Sequence, residues 1–283
     1  MDPGRGDATW RDGPGPALRR PQGIADWGRV IRRGLPAALV LLLGVLMIVP
    51  LRLIERMFHG PRRPWTGPHV QYVCRATLAC LGIGWQREGV PMRGPGAAVA
   101  NHSSWLDILA LNAATPVFFV SKAEVRRWPG INILTAVTDT HFVTRDPKLA
   151  RQQADEFADR VRAGHRLLFF PEGTSSDGRR VLPFKPTLFQ GFLDPELPDS
   201  LAVQPVAAIY QAPKGEDARF YGWWGDMDLG PHLLQVLSAR RQGRITVALL
   251  PPISVSGETR KTLSTKAEAA VRACVAHKAV VTG

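Results

Sequence analysis

Between Gly34 and Leu51 the chain runs for eighteen residues without a charged side chain, GLPAALVLLLGVLMIVPL. As a helix such a run reaches about 27 Å, marginal against a hydrocarbon core of roughly 30 Å. It is apolar on all faces, which suits lipid better than the one-sided burial of a soluble helix. Arg29, Arg32 and Arg33 precede it, and Arg52, Arg56, Arg62 and Arg63 follow. Basic residues on both flanks set no orientation, and they suit a helix whose ends stay near one anionic leaflet. Whether the run spans or only embeds is open at this point. A second apolar stretch, Val70 to Trp85, is placed to return as a hairpin partner.

Ahead of the run, residues 1–33 carry Pro3, Pro14, Pro16 and Pro21, with seven arginines against four aspartates. With little apolar surface to bury, this segment is expected to be largely disordered, with some helix near Trp27. The 283 residues, 45% of them hydrophobic, suffice for one large domain with an appendage. Lys and Arg number 36 against 24 Asp and Glu, a net charge of +12, which asks for an anionic partner. The apolar run favours membrane lipid over nucleic acid, and no Lys/Arg run interleaved with aromatics argues otherwise. Cys74, Cys80 and Cys274 show no ligand spacing and read as reduced thiols in helices of a cytosol-facing protein. No cleavable export signal is apparent.

From about Gly94 short apolar runs alternate with helical stretches. Candidate strands are Ala97–Ala100, Val117–Val120, Thr140–Thr144, Arg166–Phe170, Leu201–Tyr210 and Ile245–Leu250. One helix is expected between the third and fourth, with Asp146 as N-cap, Pro147 at its first position and Gly164 after its last turn. A final helix is expected from Thr265, where Glu268 completes a capping-box pattern. The expected class is α/β, a mixed sheet covered by helices on both faces, with an N-terminal membrane-associated helical segment.

The chemistry concentrates in two places. Asn101-His102-Ser103-Ser104-Trp105-Leu106-Asp107 follows the first of these strands directly. In a continuous helix residues five apart lie about 140° apart and cannot meet. With His102 on the loop and Asp107 in the first turns of a helix capped by Ser103 or Ser104, the carboxylate reaches one ring nitrogen and leaves the other to accept a proton. That is a base and its orienter without a protein nucleophile, a role left to a substrate hydroxyl. As a bare spacing the pair is weak, and a structural histidine is the commoner explanation. The second place is Leu167-Leu168-Phe169-Phe170-Pro171-Glu172-Gly173-Thr174, an apolar strand ending in a charged turn. Functional groups gather where such strands end. The plainer alternative for Glu172 is a carboxylate capping the backbone at Thr174 or Ser175.

Together these segments resemble the glycerolipid acyltransferase family of 1-acyl-glycerol-3-phosphate acyltransferases. Its Asn-His-x4-Asp motif is matched at 101–107, its strand ending in arginine by Thr140 to Arg145, and its Phe-Pro-Glu-Gly-Thr motif at 170–174. Its apolar stretch with a central proline is matched by Val203-Gln204-Pro205-Val206. The chain is thus expected to divide into a disordered basic tail over 1–33, a membrane-associated helical segment over 34–93 and, as the resemblance implies, an acyltransferase catalytic domain over 94–283. His102 would take the proton of the acceptor hydroxyl as it attacks the thioester of acyl-CoA or acyl-carrier protein, with Asp107 holding the imidazole. Glu172, Gly173 and Thr174 would line the acceptor pocket, with backbone amides near Gly173 offered to the oxyanion, and Arg145 and Lys185 would bind the headgroup. No metal or further cofactor is implied. The partners are membrane lipids and the acyl donor, at a membrane with the catalytic domain facing the cytoplasm.

The leading acceptor on this resemblance is 1-acyl-sn-glycerol-3-phosphate, in phospholipid biosynthesis. Two departures loosen it: Ser175 stands where an arginine follows the third motif in many phosphate-specific members, and Thr187 occupies a glycine position of Phe-Lys-x-Gly. Arginine is suited to bidentate phosphate binding, and its loss leaves Arg179, Arg180 and Lys185 to compensate. Tyr221 to Leu229, with Trp223 and Trp224, looks like a feature of the lyso-ornithine lipid acyltransferase branch, whose acceptor carries a carboxylate and an amine. Those tryptophans would line a lipid channel or form a lid packed on the core. A non-catalytic basic membrane or nucleic-acid-binding protein is the alternative of another class. No G-x-S-x-G elbow supports a serine hydrolase.

Overall fold

In the computed structural model, residues 10–11, 18–60, 62–94, 96–122, 140–143, 150–194, 197–198 and 200–282 are described. The apolar run lies inside one helix, α1 (Gly23–His59), of 37 residues, hence about 55 Å long. Residues 23–33, expected to be largely disordered, are its first turns. The reason is that their polar groups find fixed partners. Arg33 donates to the carbonyls of Leu237 and Ala239 at 2.8 and 2.6 Å, and Arg29 to that of Ser238 at 2.7 Å.

The buried residues of α1 are Asp26, Arg33, Ala37, Gly44, Ile48 and Glu55. Their steps of seven and four residues make one stripe. The opposite side carries Leu35, Leu39, Leu42, Leu46, Leu53 and Met57, each more than half exposed. A soluble helix turns its apolar side inward; α1 turns it outward and buries Asp26, Arg33 and Glu55, while Arg32 and Arg56 stay exposed.

Helix α2 (Thr66–Leu81) returns beside α1, as the second apolar stretch suggested, although it stops at Leu81 rather than Trp85. The Glu55 carboxylate fastens the turn by accepting from the amides of Trp65 and Thr66 and from the Thr66 hydroxyl. It thereby satisfies amides that a helix start leaves without partners. Where the two helices meet, a Cβ on Gly44 would lie 2.9 Å from both Val73 methyl carbons. Only glycine permits that approach.

Eight strands form a mixed sheet: β1 (Gly84–Glu88), β2 (Gly96–Ala100), β3 (Phe118–Lys122), β4 (His141–Val143), β5 (Leu167–Phe169), β6 (Ala202–Gln211), β7 (Arg244–Leu249) and β8 (Ile253–Ser254). Their order is β1-β7-β6-β2-β5-β3-β4, with β8 also on β6. Pairing is parallel except where β6 meets β7 and β8. All six expected strands occur, with ends shifted by a residue or two. β1 was not foreseen and lies ahead of Gly94, in the stretch assigned to the membrane segment, so the sheet begins earlier than expected. Pro205 sits inside the central strand β6, where a missing amide hydrogen should break the ladder. Its carbonyl accepts from Leu250, beside the Pro251-Pro252 step that already interrupts the neighbouring strand between β7 and β8.

Helices cover both faces: α3 (Leu106–Ala114), α4 (Ala150–Arg162), α5 (Leu229–Ser238) and α6 (Arg260–Thr282), with a 3-10 helix at Pro186–Leu193. Alternate side chains of β2 divide between two cores. Ala98 and Ala100 join Leu78, Leu109 and Val236 on the α1, α2, α3 and α5 side. Ala97 and Val99 join Val161, Phe189 and Leu263 on the α4, α6 and 3-10 side. α6 starts ahead of the expected Thr265, because Thr259 and Thr262 cap each other reciprocally at 2.9 and 3.2 Å. Glu268 is instead taken by the Phe184 amide and Arg272, both at 2.8 Å. Asp146 and Pro147 lie outside the described residues.

Candidate active site

The site begins where β2 ends. Asn101 continues the ladder with its side chain, donating to the Ala208 carbonyl at 2.9 Å and accepting from the Ala208 amide at 2.8 Å. The chain is thus pinned to β6 as it leaves the sheet. His102 follows on the loop, and Asp107 stands in the first turn of α3. Nδ1 of His102 lies 2.7 Å from Oδ2 of Asp107. The same oxygen accepts from the amides of Ser103 and Ser104 at 2.8 and 3.0 Å, so the carboxylate occupies a helix N-terminus, where negative charge is favoured. The serine cap expected there is minor: the Ser104 hydroxyl takes the Leu106 amide at 3.3 Å.

Two further residues complete the arrangement. The Tyr210 hydroxyl, at the end of β6, donates to Oδ1 of Asp107 at 2.5 Å. Burial, and then the Asp107 charge, hold that phenol well above its usual range, so it remains a donor. The His102 ring stacks on Phe170 with centroids 4.0 Å apart and planes 15° apart. Asp107 is fully buried, while the His102 side chain keeps 22% of its surface exposed. With Nδ1 committed to the carboxylate, Nε2 is the nitrogen left to take a proton. Sequence reasoning missed Tyr210 and Phe170 as site residues. Both close strands it had found, but which strands flank β2 is a non-local fact.

The Phe170 to Thr174 turn reaches the same place, since the Ser176 amide bonds to the His102 carbonyl at 2.9 Å. Glu172 is only 2% exposed, so it offers no open face as a pocket lining. Burial pushes its carboxyl up to about 9; the amides of His102 and Leu182 and the Arg272 guanidinium pull it back only in part, while Asp107 adds to the rise. It is neutral at neutral pH. Gly173 has φ of 72° and a side chain there would strike Lys185, whose Nζ lies 2.7 Å from the Cβ position. The Gly173 amide, a candidate for the oxyanion, is already given to the Phe170 carbonyl at 3.0 Å. The Thr174 hydroxyl accepts from the Trp10 amide at 3.1 Å. Trp10 and Arg11, expected in a disordered tail, thus dock on the turn, with Arg11 paired to Asp226.

Of the expected headgroup cations, Lys185 is exposed beside Gly173. Arg145 lies outside the described residues. Arg180 pairs with Asp177 at 3.1 Å. Trp224 is buried against Trp10, and the Trp223 amide bonds to the Ser103 carbonyl at 2.8 Å. This segment therefore packs on the His102 loop. No cluster of His, Cys, Asp and Glu fit to hold a metal occurs among the described residues.

Comparison with known proteins places this geometry. The family model described as Acyltransferase matches residues 85–208. A lyso-ornithine lipid O-acyltransferase of Rhodobacter capsulatus is 49% identical over 261 residues, which is 92% of this chain and 95% of that protein. A 1-acyl-sn-glycerol-3-phosphate acyltransferase of Neisseria meningitidis is 30% identical over 208 residues, 72% of this chain and 80% of that protein. The crystal structure of the 1-acyl-sn-glycerophosphate (LPA) acyltransferase PlsC from Thermotoga maritima shares the fold, with a TM-score of 0.63 at 17% identity over 89% of this chain and 96% of that one.

Proposed function

The chain belongs to the acyltransferase family and acts on lysolipids; from that premise we propose that its acceptor is lyso-ornithine lipid. The observation that carries this choice is the 49% identity, sustained over nearly the whole of both chains, to a protein of that name. The acceptor ranked first on the sequence, 1-acyl-sn-glycerol-3-phosphate, has its support at 30% identity and lower coverage. Ser175 in place of an arginine agrees with a headgroup that needs no bidentate phosphate clamp. Exposed Lys185 beside Gly173 is suited to the acceptor's carboxylate.

The reaction follows from the site. Nε2 of His102 takes the proton as the acceptor hydroxyl oxygen bonds to the thioester carbonyl carbon. The carbon–sulfur bond then breaks, and the thiol leaves with a proton returned by the imidazolium. Asp107 holds the ring and stabilises its charged form, and such general-base help is worth about 10²–10⁴-fold. The donor is the thioester of acyl-CoA or acyl-carrier protein, with no further cofactor. Membrane association rests on α1, whose open apolar side and buried charges suit a helix lying in the interface of one leaflet. The free cysteines fit a catalytic domain on the cytoplasmic side.

An acyl-transfer assay of the full chain, offering lyso-ornithine lipid and 1-acyl-sn-glycerol-3-phosphate side by side with each donor, tests the acceptor. Turnover should favour the first, and His102→Ala should abolish it while vesicle binding persists. Exclusive use of the phosphate acceptor overturns the substrate assignment, and turnover by His102→Ala overturns the mechanism.

A further inference from the structure

We propose that Trp10 and Arg11 are positioning residues for the acceptor: they clasp the third-motif turn to the 224–226 segment and so complete the headgroup side of the site. Both walls of that side are tied to the loop that carries the base. The Ser176 amide bonds to the His102 carbonyl at 2.9 Å, and the Trp223 amide to the Ser103 carbonyl at 2.8 Å. The walls meet at Gly222, where a Cβ would lie 2.8 Å from the Asp177 carbonyl oxygen. Nearer the solvent, half-buried Thr174 on one wall and exposed Asp226 on the other are joined by residues 10 and 11.

The clasp is built from several kinds of contact. The Trp10 amide donates to the Thr174 hydroxyl oxygen at 3.1 Å. Its indole lies 6.2 Å from the buried Trp224 ring, centre to centre, a spacing usual for paired aromatic rings. The Arg180 guanidinium, paired to Asp177 of the third-motif wall, lies over that indole at 5.3 Å. Arg11 reaches Asp226 with two prongs, Nε and Nη2, each at 2.9 Å. A neutral hydrogen bond and an exposed ion pair are each weak in water. Their worth lies in spanning: two adjacent residues fix two walls that are far apart in sequence.

Thr174 adjoins Gly173, against which Lys185 packs. It also lies four residues beyond Phe170, on which the His102 ring stacks, hence within about 14 Å of it even at full extension. His102, in contrast, is held by Asp107 at the start of α3. Loosening the clasp should therefore weaken acceptor binding and spare proton transfer, which separates KM from kcat.

The inference rests on the acceptor headgroup lying at the Gly173–Thr174 turn, as proposed above. The full chain is assayed in neutral detergent micelles, which removes membrane charge from the reading, and KM is taken for whichever acceptor the wild type prefers. Trp10→Ala should raise that KM about tenfold, with kcat and the donor KM within about twofold. Trp10→Phe should keep most of the wild-type value, because a phenyl ring still packs on Trp224 and takes Arg180. Arg11→Asp should raise the acceptor KM about threefold. Joining it to Asp226→Arg, which restores the pair with its charges exchanged, should recover the wild-type value.

A fall in kcat for Trp10→Ala with both KM values unmoved reduces the residue to fold stability and overturns the clasp. So does an equal rise in the acceptor and donor KM, or an exchanged pair no better than Arg11→Asp alone. Lys185→Gln separates this inference from the reading beneath it. An acceptor KM that Lys185→Gln leaves unmoved takes the headgroup away from this turn, and the clasp with it. A KM that Lys185→Gln raises and Trp10→Ala does not overturns the clasp alone.

Discussion

Asp107 takes four hydrogen bonds on two oxygens, from His102, Ser103, Ser104 and Tyr210, while wholly hidden from water. A buried carboxylate so well supplied with donors is fixed in place and orients its partner. Tyr210→Phe deletes one donor and leaves the packing. We expect kcat to fall about tenfold, because the carboxylate that orients His102 loses one of its four anchors. An unchanged rate would reduce Tyr210 to packing. Glu172 supplies a second test. Its ordinary value of 4.5 rises to about 9 on folding, so between those limits the unfolded chain releases a proton that the folded chain keeps. Stability therefore falls as pH rises through that window. Thermal unfolding of Glu172→Gln against pH should show that decline weakened, with little difference near pH 4 and a more stable variant near pH 8. His102 and Asp107 were legible because their meeting depends on a local loop-to-helix step. Tyr210 was not, because its place follows from β6 settling beside β2, a pairing of residues more than a hundred positions apart.

At the level of elements, local signals located segments better than their ends. Of the strands found from sequence, β2, β5, β6 and β7 are largely buried and apolar. β1, with the sequence GWQRE and no fully buried residue, shows no alternation and gains its place from pairing with β7. The length of α1 was hidden for a related reason. Charged residues that signal a helix leaving lipid are here turned toward the protein, where carbonyls and amides of α5 and α2 receive them. Its stripe offers a sharp test. Gly44→Leu must displace Val73, a β-branched side chain with little freedom to yield. A loss of about 1–3 kcal/mol is expected from overpacking, read by thermal unfolding in detergent. Unaltered stability would mean that α1 and α2 are not held at this distance.

For the whole molecule, the acyltransferase fold and the order of its motifs were readable because each motif is short and contiguous. The surroundings of the third-motif turn were not: Glu172 is buried, the Thr174 hydroxyl accepts from Trp10, and the Gly173 amide bonds to the Phe170 carbonyl. The net charge of +12 draws the molecule to an anionic surface, and the outward apolar side of α1 holds it there.

That helix touches the rest of the protein from Arg29 and Arg33, beside α5, to Glu55, beside α2. α5 in turn holds the Trp105 indole through His232 at 3.0 Å, two residues from Asp107. An enzyme moored in this way meets its acceptor by lateral diffusion, and bulk dilution hardly matters to it. Turnover should track the mole fraction of lysolipid in the surface: adding inert lipid at constant lysolipid should slow it, whereas adding buffer should not.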